Sequence, residues 1–404
     1  VYSRLRNLHE IKGYGLFVIC MALVGVAVSL SGPFLSLFCT EVIGMSTAAF
    51  GIFMAMNSLS GVVVNTLIAK RSDSGLDRKY IIAVATVSSA LGSASYLVFH
   101  NYYILLIVVA VLSGCGAPAM PQIFAYAREA ANDSQSDDKT FATSTLRSLF
   151  SLGFVIGPLI GTVVLSQVGF SGLFIGTSTL FLIIASIVFF LLKRKPVAIT
   201  NQATRQSTGL LAQRKDLLKP FIAFILLYAA NWTYNINTPL FIVHKLHGTP
   251  QDVGLVISLC AGLEIPLMIG LGALAKKFPN RLLMMVGCLI AMVYYIIMGV
   301  SSQIWQLIAA QILQASFIAI VMGIGLSYFQ DLMPDSPGIA TTIYSNASSL
   351  GVLVGNLSGG FVAQVAGYRN VYWVCLVIVA VSFTMLRRTK SQTTVIAGES
   401  SQSM

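Results

Sequence analysis

Two ionisable side chains in this 404-residue sequence stand deep inside long apolar runs, Arg147 and Glu264. A charge in such surroundings costs several kcal/mol on most scales, so each marks a site that does something. Arg147 carries a planar fork of donors suited to paired hydroxyls, and Phe154, seven residues on, falls on the same helical face two turns away. An aromatic face there would stack on the apolar face of a ligand ring. For Glu264 the functional reading is titration: a proton taken up on one side and released on the other when hydration or a nearby arginine changes. The alternatives stay open. Arg147 would equally serve as an ion pair with Glu129 or Asp73 that fixes a gate, and Glu264 as a hydrogen bond between helices.

Uncharged polar residues inside the same runs form a second set: Asn57, Gln122, Asn231, Asn235, Gln311, Gln314 and Asn346. Carboxamides both donate and accept, as the hydroxyls of a ligand do. Asn231 and Asn235 are four apart and Gln311 and Gln314 three apart, so each pair shares a helical face. Any one of them would also serve to join helices in a membrane. As a set they favour a polar ligand, because a pocket for hydrophobic drugs would be lined mostly by aromatic and aliphatic groups.

The elements that must position these residues follow from composition. The chain is 56% hydrophobic and only 10% charged, against roughly a quarter charged in a soluble domain, which excludes a soluble fold. A bilayer core takes about 20 apolar residues per helix. That rule predicts an all-α membrane protein of twelve spans, near 14–40, 46–69, 79–99, 102–128, 140–167 and 170–192, then 217–244, 251–275, 281–300, 303–330, 337–366 and 370–386. The first run is long enough to span, so no cleavable signal peptide is expected. The domain reading is a six-helix bundle over 1–192, a Ser/Thr/Gln-rich basic linker over 193–216, a second bundle over 217–390 and a flexible tail over 391–404.

The net charge of +11 raises the question of nucleic acid, and the placement of the basic residues answers it. With the amino terminus inside, every one of the 25 Lys and Arg residues falls in a cytoplasmic segment except Lys245, Arg369 and the intramembrane Arg147. This positive-inside bias predicts cytoplasmic termini and explains the charge without a nucleic-acid partner. The cysteines Cys20, Cys39, Cys115, Cys260, Cys288 and Cys375 all lie in apolar runs, and His9, His100, His244 and His247 have no metal-ligand spacing. Neither a nucleotide-binding loop nor a nucleophile with its base is present, so the expectation is no cofactor, no metal and no enzyme activity. Asn-x-Ser/Thr at Asn132, Asn231, Asn346 and Asn356 falls in the membrane or cytoplasm, so glycosylation is not expected.

The halves echo each other, the repeat pattern expected of a transporter that rocks about a central site. Leu67-Ile68-Ala69-Lys70-Arg71-Ser72-Asp73, ending in Asp77-Arg78-Lys79, follows the second run; Gly272-Ala273-Leu274-Ala275-Lys276-Lys277, ending in Arg281, follows the eighth. Gly153-x3-Gly157-Pro158-x2-Gly161 in the fifth run is answered by Gly351-x3-Gly355-x3-Gly359-Gly360 in the eleventh. Small residues at this spacing and an intramembrane proline suit a moving interface.

These motifs resemble the major facilitator superfamily. The loop after the second run keeps Asp73 and the pair Arg78-Lys79, although Asn65 stands near the usual leading Gly and the spacing is stretched by one residue. The resemblance implies a gating role for Asp73 and Arg78, and the Gly157-Pro158 run looks like the motif associated with antiporters, pointing to export. More narrowly, Ala69-Lys-Arg-Ser-Asp73, Ala119-Met-Pro-Gln122, Ala127-Arg-Glu129, Gly262-Leu-Glu-Ile-Pro266 and Phe329-Gln-Asp-Leu-Met-Pro334 resemble the SET family of bacterial sugar efflux transporters over nearly the whole chain. That resemblance implies a monomeric multi-pass protein of the bacterial inner membrane exchanging a small sugar or glycoside for protons; a multidrug or small-amphiphile exporter of the same fold is the alternative. Glu129, Arg147, Phe154 and Glu264 also fill places similar to those of a Glu, an Arg, an aromatic and a Glu in the lactose-permease family. That family's Arg, His and Glu relay in the ninth and tenth helices has no counterpart inside those runs, so the same relay is not expected.

Overall fold

The computed structural model describes residues 13–72, 77–133, 139–192, 215–275, 277–334 and 336–389. All regular elements among them are helical. With no water in a bilayer core to satisfy backbone amides, a helix that bonds its own backbone is the economical way across.

Helix α1 runs over Tyr14–Ser31. It continues through a 3-10 turn at Gly32–Phe34, where Pro33 has no N–H to donate, and a π turn at Phe38–Val42, making one span of Tyr14–Val42. The first half goes on with α2 (Thr47–Ser72), α3 (Arg78–Val98) and α4 (Tyr102–Gly116, carried on by Ala119–Asp133). Side-chain caps start two of these: the Asp77 carboxylate accepts from the Lys79 amide at 3.0 Å, and Asn101 accepts from the amides of Tyr103 and Ile104. The next helical stretch is Lys139–Leu191, whose apolar part covers 47 residues. At 1.5 Å per residue that is about 70 Å, over twice the ~30 Å hydrocarbon core. Gly169 resolves it, with φ 76° and ψ −169°, a conformation only glycine adopts freely. The stretch is therefore two crossings, α5 (139–168) and α6 (170–191).

The second half consists of α7 (Lys215–Lys245), α8 (Pro250–Leu274), α9 (Asn280–Val300), α10 (Ile304–Leu332), α11 (Pro337–Ala366) and α12 (Asn370–Arg387). Of the expected linker only the last two positions are described, as the start of α7; the tail over 391–404 lies outside the described residues. Two compact units divide the chain: Val1–Asn201 with His247–Gly262, and Gln202–Leu246 with Leu263–Met404. Large apolar side chains stand outward along the helices, Phe190 76% and Ile269 74% exposed among them. A surface of this kind is the one a lipid-facing protein presents.

Inside each unit the first helix and the fifth are joined in the same way. In the first, the buried Ser29 hydroxyl donates to the Gly153 carbonyl at 2.8 Å, tying α1 to α5. In the second, the Thr233 hydroxyl donates to the Gly355 carbonyl at 3.0 Å, tying α7 to α11. Both glycines are where the partner backbone comes closest: a Cβ on Gly153 would lie 2.6 Å from Gly25 Cα, and one on Gly355 would lie 2.6 Å from the Ala229 carbonyl oxygen. The glycine series of the sequence thus lie where helix backbones approach closely within each unit. Elsewhere in the first unit Ser60 donates to the Ala110 carbonyl at 2.6 Å between α2 and α4, and Ser178 to Ala90 at 2.9 Å between α6 and α3.

Candidate functional site

In the second unit, α7 and α10 bring four of the expected carboxamides together. Gln314 Nε2 donates to Asn231 Oδ1 at 3.1 Å, and Asn235 Nδ2 donates to the Asn231 carbonyl one turn back at 2.9 Å. Gln311 Oε1 accepts from the Tyr234 hydroxyl at 3.2 Å while its Nε2 donates to the Leu307 carbonyl at 3.0 Å. Gln311 is thereby satisfied by the packing itself. Gln314 is fully buried, and its Oε1 has no partner among the described residues. A buried acceptor left open costs about 1–3 kcal/mol, a deficit that a ligand hydroxyl or a water would relieve. Asn235 and, on α11, Asn346 are exposed side chains.

A tyrosine pair reaches α7 one turn before Asn231. The Tyr228 and Tyr344 hydroxyls lie 2.7 Å apart, and Tyr344 donates onward to the Met322 carbonyl at 3.3 Å, linking α7, α11 and α10. One signal was available in the sequence: Tyr228, Asn231 and Asn235 follow i, i+3, i+7 spacing and so share one stripe of α7.

Glu264 is a partly buried residue of α8, two positions before Pro266. Proline gives no N–H, so the Gly262 carbonyl loses its intrahelical donor in the turn that carries Glu264. The local backbone is polar as well as the side chain.

The first unit holds the remaining candidates, and it distributes them. Arg78 Nη1, at the start of α3, donates to Gln122 Oε1 on α4 at 2.7 Å, so an expected gate residue holds an expected ligand residue. Arg78→Ala is expected to lower the stability of the detergent-solubilised protein by about 1.5–3 kcal/mol, the usual worth of a hydrogen bond to a charged group. Thermal unfolding measures this, and an unchanged Tm would show that the bond carries nothing. Asn57 Oδ1 on α2 is buried with no partner among the described residues. On α5, Arg147 is exposed and Phe154 half-buried, its ring 5.1 Å from that of Phe150 on the same face. Gly157 packs over Ser29, while the Pro158 carbonyl accepts from Thr162 at 2.8 Å; a Cβ on Gly254, at the start of α8, would meet that carbonyl oxygen at 3.0 Å. Asp73 and the Glu129 side chain lie outside the described residues, and so does any ion pair they make with Arg147.

Two units of apolar helices long enough to cross a membrane, with the same helix-pair joint in each, are the build of a membrane transporter. The family model for the Major Facilitator Superfamily matches residues 17–301 and 220–401, and the chain belongs to that superfamily. Among curated proteins it is similar to sugar efflux transporter B of Salmonella typhimurium, 34% identical over 93% of this chain and 95% of that one. It is 33% identical to sugar efflux transporter A of Dickeya chrysanthemi, covering 90% of this chain and 92% of that one, and 31% identical to sugar efflux transporter C of Escherichia coli (strain K12), covering 92% and 94%. Among solved structures the nucleoside transporter NupG superposes with a TM-score of 0.78 over 94% of this chain and 99% of that chain at 16% identity. A bacterial homologue of the human lysosomal transporter Spinster gives 0.76 over 93% and 96% at 14% identity. Both likenesses speak for the fold alone.

Proposed function

We propose that this chain exports small sugars or glycosides across a bacterial inner membrane, with both termini in the cytoplasm, one sugar site per monomer and protons as the counter-ion. The observation that carries the reading is the buried Asn231–Gln314 pair with its open Gln314 Oε1, bordered by the Tyr228–Tyr344 hydroxyls: donors and acceptors arrayed for a polyhydroxylated ligand. The relatives it resembles, sugar efflux transporters at 31–34% identity over most of the chain, support the same class. In this reading the residues that bind sugar are Asn231, Asn235, Glu264, Gln311, Gln314 and Asn346 of the second unit and Arg147, Phe154, Asn57 and Gln122 of the first. Glu264 carries the proton. Asp73, Arg78, Glu129, Gly157 and Pro158 gate the alternation between inward-open and outward-open states.

The test is uptake into inverted vesicles over a panel of radiolabelled glycosides, with and without a pH gradient. Gradient-stimulated accumulation of at least one glycoside is the expected result. Accumulation of lipophilic cations with no glycoside transported would replace the sugar with an amphiphile. Glycoside uptake indifferent to the gradient would remove the proton.

A further inference from the structure

The α2–α4 seam of the first half has its counterpart in the α8–α10 seam of the second, and the two are built differently. Between α2 and α4, Ser60 bonds the Ala110 carbonyl, and a Cβ on Gly114 would run into the Ser60 side chain, 3.2 Å from its Cβ. The α8–α10 seam is slack. A Cβ on Gly323 would meet only the tip of Met268, at 3.8 Å and 3.9 Å. The seam holds a groove of about 330 Å³ lined by Met268, Leu271 and Ala275 of the α8 side, Gly323 and Ser327 of α10, and Asn280 at the start of α9.

Both walls follow helical stripes that carry an acid. On the α8 side Glu264, Met268, Leu271 and Ala275 recur at i, i+4, i+7, i+11, placing Glu264 one turn beyond the groove's inner end. On α10, Ala319, Gly323, Ser327 and Asp331 recur every four residues, placing Asp331 at its mouth. There Asn280 Nδ2 donates to Asp331 Oδ2 at 2.7 Å, while Asn280 Oδ1 is buried with no partner among the described residues. A buried acceptor facing a void of this size is a place for water, and the volume takes several.

The geometry points to this groove as the route by which the Glu264 proton reaches the cytoplasm, separate from the sugar path; the inference rests on Glu264 as carrier. The Glu264 carboxylic acid gives its proton to the water file past Met268, an unbranched side chain that swings aside easily. Ser327 and Asn280 hold the file, and the Asp331 carboxylate takes the proton and passes it to bulk water, leaving Glu264 a carboxylate. From Glu264 to Ala275 the rise is about 16 Å. Of the other charged residues near these in the sequence, Lys277 is exposed and Arg281 donates to the carbonyls of Leu386 and Arg387, while Lys276 and Asp335 lie outside the described residues. The buried Tyr328 stacks on Phe224, 5.8 Å between centroids, and the apolar runs of α7 and α11 place no carboxylate opposite Glu264.

The test uses the full chain in inverted vesicles, whose outer surface is the cytoplasmic face. Ser327→Cys should react with a membrane-impermeant methanethiosulfonate added outside, above the background of the native cysteines. Gly323→Leu fills the groove and should slow gradient-driven sugar transport by at least about tenfold, equivalent to ~1.4 kcal/mol on the barrier, while sugar counterflow, which moves no net proton, stays within about twofold. Gly323→Ala, with room for its methyl, should behave as the native chain. Unlabelled Ser327→Cys, or full gradient-driven transport in Gly323→Leu, overturns the route, as does equal loss of counterflow, which would make the groove part of the sugar path or of the fold. Should Glu264→Gln keep gradient-driven transport, the carrier itself is wrong; an inactive Glu264→Gln beside an active Gly323→Leu condemns the route alone.

Discussion

Glu264→Gln is expected to cut efflux driven by a pH gradient on the order of a hundredfold, ~2.7 kcal/mol on the barrier, while leaving sugar counterflow and the amount of protein in the membrane close to native. Glutamine keeps the shape and accepting oxygen of glutamic acid but has no acidic proton to give. The span Pro250–Leu271 contains one other carboxylate, Asp252, which is committed to the start of the helix by bonds of 2.7 Å and 2.8 Å to Thr249. Nothing else in α8 can take over the proton. The glutamine amide is neutral and can donate a hydrogen bond as the protonated acid does, so the variant should resemble a permanently loaded carrier. Such a carrier exchanges sugar for sugar and cannot run on the gradient. Gradient-driven efflux at the native rate from reconstituted vesicles of the variant would remove Glu264 from the proton path. Loss of counterflow together with efflux would make it a structural or sugar-binding residue instead.

Where the sequence spoke through one helix at a time, it spoke clearly. The apolar runs set out the spans, and Gly169 between the fifth and sixth of them is where the chain breaks. The spacing of Asn231 with Asn235 and of Gln311 with Gln314 put each pair on a common face, and the Asn231–Gln314 bond joins the two faces. What one helix could not reveal was which helix its polar face would meet. Arg78 and Gln122 are 44 positions apart, and their bond exists only because α3 packs beside α4. The Tyr228–Tyr344 pair spans 116 positions, and tyrosines in an apolar run look like packing until a partner hydroxyl arrives. Voids are harder still. The groove beside Gly323 is defined by what α8 and α10 fail to fill, a property of two surfaces and of no single residue pattern. The glycine series shows the same limit from the other side: close approach was legible, whereas its partners, α1 for α5 and α7 for α11, were not.

Those partners make a second large effect calculable. Gly153→Ala and Gly355→Ala are each expected to lower stability by about 1–3 kcal/mol or more, the range for forcing a methyl group into a packed interface. A Cβ at Gly153 would sit 2.5 Å from Val26 N and 2.6 Å from Gly25 Cα; one at Gly355 would sit 2.6 Å from Ala229 O and 2.9 Å from Trp232 Cβ. Backbone atoms cannot swing away as a side-chain tip can, so the helices must part. Parting them stretches the Ser29 bond to the Gly153 carbonyl and the Thr233 bond to the Gly355 carbonyl, which are buried and have no water to replace the donor. The penalty should be the same in kind at both positions, because the two halves use one joint. Gly262 and Gly270 are the controls: a Cβ there would meet Val155 Cγ1 at 3.8 Å and nothing within 4 Å, respectively. Alanine at either should leave Tm unchanged or raise it slightly, since alanine favours the helix by up to about 1 kcal/mol over glycine. Thermal unfolding of the four variants in one detergent separates the cases. Equal Tm values for Gly153→Ala and Gly270→Ala would mean that α1 and α5 do not approach as closely as the packing requires, and the joint shared by the two halves would fall with it.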